Sequence, residues 1–194
     1  MYVIKYPHPL LSYKCKPLRK IDKKIRDVVS EMFKLMYENS GVGLAANQVG
    51  LPYQLVVLNQ TGNSEQKKEE YVLINPTILK LKGGSEEGEE GCLSFPGLRM
   101  VVPRAREVKF QAIDLNGRLC SYHWNGFQAR IVQHETDHLF GMSFFQRANA
   151  SITPNFELFL AKMSKNYRQD LGDDWESVEE QIWKNVAKWE SERT

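Results

Sequence analysis

His134-Glu135-Thr136-Asp137-His138 is the segment of this sequence whose residue types and spacing most directly suggest chemistry. It matches H-E-x-x-H. On a helix, residues four apart share a face, so both imidazoles can reach one metal ion. The glutamate beside the first histidine is then within reach of a water held there. A catalytic site of this kind needs a third protein ligand and one open position. No histidine follows His138, and Phe144 stands where a third histidine would complete H-E-x-x-H-x-x-G-x-x-H. Two candidates remain. Glu157 is the downstream carboxylate that a zinc endopeptidase would use. Cys92, in Glu90-Gly91-Cys92-Leu93-Ser94, is by itself a small hydrophobe, but beside an incomplete metal site its thiolate is the better donor. A closed structural metal site in a non-enzyme is a third reading, against which Glu135 argues, since such a site needs no base.

A further segment is rich in small residues: Gly41-Val42-Gly43-Leu44-Ala45-Ala46-Asn47-Gln48. It contains G-x-G-x-x-A, but a helical pattern precedes it where a dinucleotide fingerprint needs a strand. The better reading is a close-approach loop, in which a ligand touches backbone and Gln48 supplies an amide donor.

These residues need elements to position them. Ile25, Val28, Val29, Met32, Phe33 and Met36 recur at helical spacing and predict a helix over 22–38, with Asp22 as N-cap and Asn39-Ser40-Gly41 as its stop. Apolar and β-branched runs at 54–58, 71–81 and 106–113 predict strands. Polar, glycine-bearing connections are expected at 59–70, 82–90 and 114–118, where Asn116-Gly117 signals a type I′ turn. A helix over 127–140 carries the stripe Phe127, Ile131, His134, His138 and ends at Gly141. Another helical stretch begins near Pro154. Trp175, Val178, Ile182, Val186 and Trp189 mark a C-terminal helix, with Asp173 and Asp174 at its favourable end. The expected fold class is α+β: small antiparallel sheets packed around the H-E-x-x-H helix, with N- and C-terminal helices.

Composition sets the limits. The 194 residues suit one domain, and a net charge of +2 argues against a dedicated nucleic-acid binder. Three widely spaced cysteines make no disulfide framework; Cys15 and Cys120, like His8 and His123, are expected to be structural. No targeting segment or run of about 20 apolar residues is seen, so a soluble cytoplasmic protein is expected. Residues 169–194 hold eight acids and three bases, a balance of −5 that leaves +7 on the rest.

The three motifs together resemble the peptide deformylase family, whose pattern is G-x-G-x-A-A-x-Q, then E-G-C-x-S, then Q-H-E-x-D-H. The matching segments are 41–48, 90–94 and 133–138, in the family's order, and the likeness covers about residues 1 to 165. The resemblance implies a metal-dependent hydrolase that removes the formyl group from the initiator methionine of nascent polypeptides. Cys92, His134 and His138 would be the ligands and Glu135 the general base and acid. Gln48 and the Leu93 N–H would bind the oxyanion. Gly43 would hydrogen-bond substrate backbone, while Val42 and Leu44 would help frame the methionine pocket. Glu90 and Arg104 would pair beside the site. One divalent ion per chain is implied, Fe²⁺ in the cell, with Zn²⁺, Ni²⁺ or Co²⁺ as other forms. Some bacterial members are thought to dock on the ribosome through a basic C-terminal helix. The acidic tail departs from that pattern, so the expected division is a catalytic domain over 1–168 and a helical extension over 169–194 that packs on the body or on another subunit.

Overall fold

The computed structural model describes residues 1–148, 154–172 and 175–194. Its elements are α1 (Lys23–Glu38), β1 (Gly43–Ala45), β2 (Leu55–Leu58), β3 (Tyr71–Cys92), β4 (Phe95–Ile113), β5 (Leu119–Asn125), α2 (Gly126–Leu139), α3 (Pro154–Leu171) and α4 (Trp175–Arg193). The fold is α+β. The strands join into a single five-stranded antiparallel sheet in the order β1-β2-β3-β4-β5, in place of several small sheets.

The sheet is a partition between two cores. In β2 successive side chains point to opposite faces. Leu55 and Val57 pack with Ile25, Met32 and Met36 of α1, whereas Val56 and Leu58 pack with Ala129, Val132 and Leu139 of α2. That is why β2 reads as an unbroken apolar run rather than an alternating one. α1 starts as expected, with Asp22 Oδ1 accepting from the Ile25 N–H at 3.1 Å. α2 ends in a Schellman motif: Gly141 N–H donates to the His138 carbonyl and Met142 N–H to the Asp137 carbonyl, both at 3.0 Å. Gly141 has φ 72°, and a Cβ there would collide with the Ser12 carbonyl oxygen, so glycine is required twice over.

Two expected connections differ. The polar segment 82–90 is strand, not loop. Most of it is exposed, so backbone pairing with β4 holds it and no hydropathy pattern betrays it. Gly83 and Gly84, with φ 75° and 70°, sit at a register shift between Lys82 and Ser85, which makes them a bulge. The turn at 114–118 is a type I turn closed by Gly117 N–H to the Asp114 carbonyl, with Gly117 alone left-handed. Asp114 Oδ1 accepts from the Asn116 and Arg118 N–H groups, which favours this form over type I′.

α4 packs on the body. Val186 is buried against Ile4, Leu10 and Leu11, with Ile182 beside it, and Trp189 stands edge-on to Tyr53 at 6.0 Å. Lys24 Nζ lies 3.9 Å above the Trp189 ring, and Arg193 Nη1 donates to Asp22 at 2.9 Å. Of the expected stripe, Val178 is half-buried. The Trp175 side chain and residues Asp173 and Asp174 lie outside the described residues. Among the described residues no helix is long and apolar enough to cross a membrane.

Candidate active site

A cavity of about 560 Å³ opens between the segment 41–43, the two-residue turn Leu93-Ser94 that joins β3 to β4, and one face of α2. α2 presents Phe127, Arg130, Ile131, His134 and Glu135 to it, a helical i, i+3, i+4, i+7, i+8 series. Phe127 therefore does not extend a buried stripe: it is 54% exposed and lines the opening.

Cys92 ends β3, and the turn after it points the thiol at the last two turns of α2. Its Sγ lies 3.3 Å from His138 Nε2. One donor atom from each of Cys92, His134 and His138 can be chosen so that all lie within 4.8 Å of one another. Bonds of about 2.0–2.3 Å at a tetrahedral centre give edges of about 3.5 Å, so a single ion fits this set. Glu90 Oε2 accepts from His134 Nδ1 at 2.9 Å, which orients the ring. Burial lowers the pKa of this imidazole, but its bonds to Cys92 and Glu90 outweigh that and raise it to about 10, so Nε2 must give up a proton when it takes a metal ion. Burial holds His138 well below its usual pKa, so this ring is neutral, as a ligand must be. Glu157 is exposed on α3 and belongs to no such group, which removes it as third ligand.

Glu135 sits against β1 with 5% exposure. Its Oε2 is buried without a hydrogen-bond partner, and burial raises its pKa to about 7. The contact is close enough that a Cβ on Gly43 would strike the carboxylate, with Cδ at 2.8 Å. Gln48 lies in the 3-10 turn Ala46–Val49 after β1. Its Oε1 accepts from the Ala45 N–H at 2.9 Å, which turns its NH₂ toward Cys92 Sγ at 3.4 Å and Ser94 Oγ at 3.2 Å. Val42 and Leu93 line the cavity. Leu44 does not: it is fully buried in the α1-side core, because β1 alternation turns it away from Gly43.

Beneath the ligands lies a buried ionic network that sequence reading caught only in part. Arg104 Nε and Nη2 bind Glu90 in bidentate fashion, each at 3.0 Å, and Nη1 binds Asp137 at 2.5 Å. Arg130 adds a bond to Glu90 at 2.8 Å, and Arg147 two to Asp137, from Nη2 at 2.8 Å and from Nε at 3.2 Å. Burial alone would raise the Glu90 pKa, but the bonds from His134 and Arg104 outweigh it and bring it to about 2. Asp137 was visible inside the motif but without a role; Arg130 and Arg147 carried no local signal. Asn47 was missed as well: its Nδ2 donates to the His138 carbonyl at 2.6 Å and ties the end of α2 to the Gln48 turn.

The N-terminal segment closes the cavity from the side. Ile4 N–H donates to the Gln48 carbonyl at 2.9 Å and Tyr6 N–H to the Ser94 carbonyl at 3.1 Å. Between them Lys5 Nζ donates to the Leu93 carbonyl at 2.6 Å.

Comparison with known proteins agrees with this arrangement. The family model for polypeptide deformylase matches residues 1–153. A peptide deformylase of Rhodopirellula baltica is 39% identical over 189 residues, covering 97% of this chain and 93% of that one. A chloroplastic peptide deformylase 1B of Oryza sativa is 39% identical over 170 residues, 88% of this chain and 63% of that one. The crystal structure of Arabidopsis thaliana peptide deformylase 1B with an inhibitor superposes with a TM-score of 0.82 at 39% identity, covering 88% of this chain and 93% of that one. The Rhodopirellula match runs into the acidic tail, so that extension is not peculiar to this chain. On the family model and on these identities, the chain belongs to the peptide deformylase family, metal-dependent hydrolases acting on the N-formyl group.

Proposed function

We propose that this chain deformylates N-formylmethionyl nascent peptides in the cavity beside α2, with Cys92, His134 and His138 holding one divalent ion, Fe²⁺ in the cell. The observation that carries the residue roles is the buried, unpartnered Glu135 carboxylate beside three converging metal donors. When bound, such an ion supplies a Lewis acid and makes water more acidic.

The protein groups divide the remaining work. Glu135 takes a proton from the attacking water and returns it to the leaving amine, so one formamide and one water yield formate and a free methionine N-terminus. The Gln48 amide and the Leu93 N–H receive the charge that develops on the formyl oxygen. One such donor is worth about 2.7–4 kcal/mol. The Gly43 backbone hydrogen-bonds the substrate backbone, the missing side chain making room for the Glu135 carboxylate, and Val42 forms part of the wall. Ile131 and Phe127, one and two turns before His134, offer the apolar surface that a methionine side chain needs. Glu90 and Arg104 keep the His134 ring in its donor orientation.

Residues 1–168 then form the catalytic unit, and 169–194 an accessory extension that takes in the end of α3 and all of α4. The enzyme works in the cytoplasm, on chains leaving the ribosome, and needs no specific nucleic-acid contact. The deciding experiment is formate release from a formyl-Met peptide by anaerobically prepared iron, nickel and cobalt forms, with Glu135→Gln alongside. The expected result is activity in the parent and a kcat lower by about 10²–10⁴ in Glu135→Gln with its metal retained. No formate from any metal form overturns the reading; full activity in Glu135→Gln overturns the assigned base.

A further inference from the structure

Arg130 lies one turn before His134 on the same face of α2 and reaches across to the hairpin made by β3 and β4. Its Nη1 donates to Glu90 at 2.8 Å, to the Val102 carbonyl at 2.7 Å and to the Gly88 carbonyl at 3.4 Å. Its Nη2 donates to the Glu86 carbonyl at 2.7 Å. Gly88 and Val102 are cross-strand partners, so the guanidinium grips both strands at once. A planar fork of donors can do this; a lysine ammonium, a point charge, cannot span the same acceptors.

Gly88 makes the reach possible. A Cβ at this position would stand 2.7 Å from the guanidinium carbon and from Nη2. Gly88 is not among the residues with left-handed φ, so the guanidinium, not the backbone, is what excludes a side chain. Two residues further along β3 is Glu90, the acceptor for His134 Nδ1, and two beyond that is Cys92. One side chain thus bonds both to the hairpin that delivers the sulfur donor and to the carboxylate that orients a nitrogen donor. The roles assigned above leave Arg130 unused.

We propose that Arg130 is a positioning residue that fixes Cys92 and His134 relative to each other, and that Gly88 is the gap that admits it. This rests on the proposed reading only in taking Cys92, His134 and His138 as a metal set. The two residues then act as one device. Adding a methyl at 88 displaces the same guanidinium that Arg130→Ala removes, and once it is gone the methyl has nothing to strike.

The test uses the cobalt(II)-loaded protein as wild type, Arg130→Ala, Arg130→Lys, Gly88→Ala and the double variant Gly88→Ala/Arg130→Ala. The rate of cobalt loss to a chelator and the visible absorption of the bound cobalt are read for each. Both alanine singles are expected to lose cobalt about 10–100-fold faster than wild type and to show shifted bands. The double variant should match Arg130→Ala within about twofold, and Arg130→Lys should recover only part of the loss. Wild-type behaviour in both singles overturns the proposal, as do losses that multiply in the double. Should Arg130→Ala not fold, Gly88→Ala decides alone, since it keeps every polar group. Formate release is scored separately. A wild type that makes no formate but shows the expected chelator series rejects the deformylase reading and leaves the positioning role standing; an active wild type with additive losses does the reverse.

Discussion

α2 and α4 are both amphipathic helices docked on the same body, yet they are held by different forces. In α2 every residue from Ile131 to Leu139 is buried, and that stretch includes Gln133, His134, Glu135, Thr136, Asp137 and His138. Among the described side chains of α4, only Val186 and Arg193 reach that depth. A helix that buries so many polar groups is stable only where most of them find partners. In α2, Gln133, His134 and Asp137 find them in residues fixed elsewhere in the chain: Glu90, Arg104, Ala105 and Arg147. Glu135 Oε2, Thr136 Oγ1 and His138 Nδ1 are buried without a hydrogen bond, two of these three residues belonging to the proposed site. α4 needs only an apolar stripe, one buried arginine and a few edge contacts. The contrast teaches that the catalytic helix is specified by directional bonds, and the terminal one by area.

The sharpest way to break this contrast is Arg104→Ala. Arg104 is 5% exposed and bonds two carboxylates, so its removal leaves Glu90 and Asp137 under-neutralised in the interior. Loss of one partner from a buried ionic network costs about 3–5 kcal/mol. Urea unfolding should show that loss together with weaker metal retention; a change below about 1 kcal/mol would mean that the network is dispensable. Val186→Ala should be milder. It removes two buried methyl groups, worth about 1–2 kcal/mol, and formate release at a temperature where the protein stays folded should not change. Reduced turnover there would mean that α4 reaches the active site.

The smallest effect concerns Asp22. The Arg193 bond holds its carboxyl below the usual range, despite some opposing burial. A depressed carboxylate pKa adds stability that is fully present above the unfolded value near 3.9 and is lost as pH falls through the folded one. The stability difference between wild type and Arg193→Ala should therefore be constant near neutrality and shrink below about pH 4. A difference that persists at pH 2 would assign the contribution of Arg193 to packing alone.

The two helices were also unequally legible in the sequence. The spacing of His134 and His138, and the run of Val178, Ile182, Val186 and Trp189, are local patterns that survive without knowledge of the fold. α1 and its Asp22 cap were legible for the same reason. What stayed hidden was non-local. Nothing within a few residues of Arg130 tells which carboxylate it will meet, since its bond to Glu90 exists only after β3 and β4 lie across α2, and Arg147 meets Asp137 only because the chain turns back after the end of α2. The length of β3 was hidden because its outer half is held by backbone pairing, which hydropathy does not record. Phe127 misled for the opposite reason: it fits a helical stripe, but the cavity begins where it stands.

The N-terminal strap gives the cavity a kinetic property of its own. Ile4 must meet Gln48, and Lys5 and Tyr6 must meet Leu93 and Ser94, so residues 4–6 close two long loops of chain. Closures this distant in sequence slow folding more than they lower stability. A strap attached by so few bonds can also open without global unfolding. Amide exchange at Ile4 and Tyr6 therefore reads the integrity of the cavity wall, while exchange within α2 reads the survival of the metal-binding frame, and the two clocks run independently.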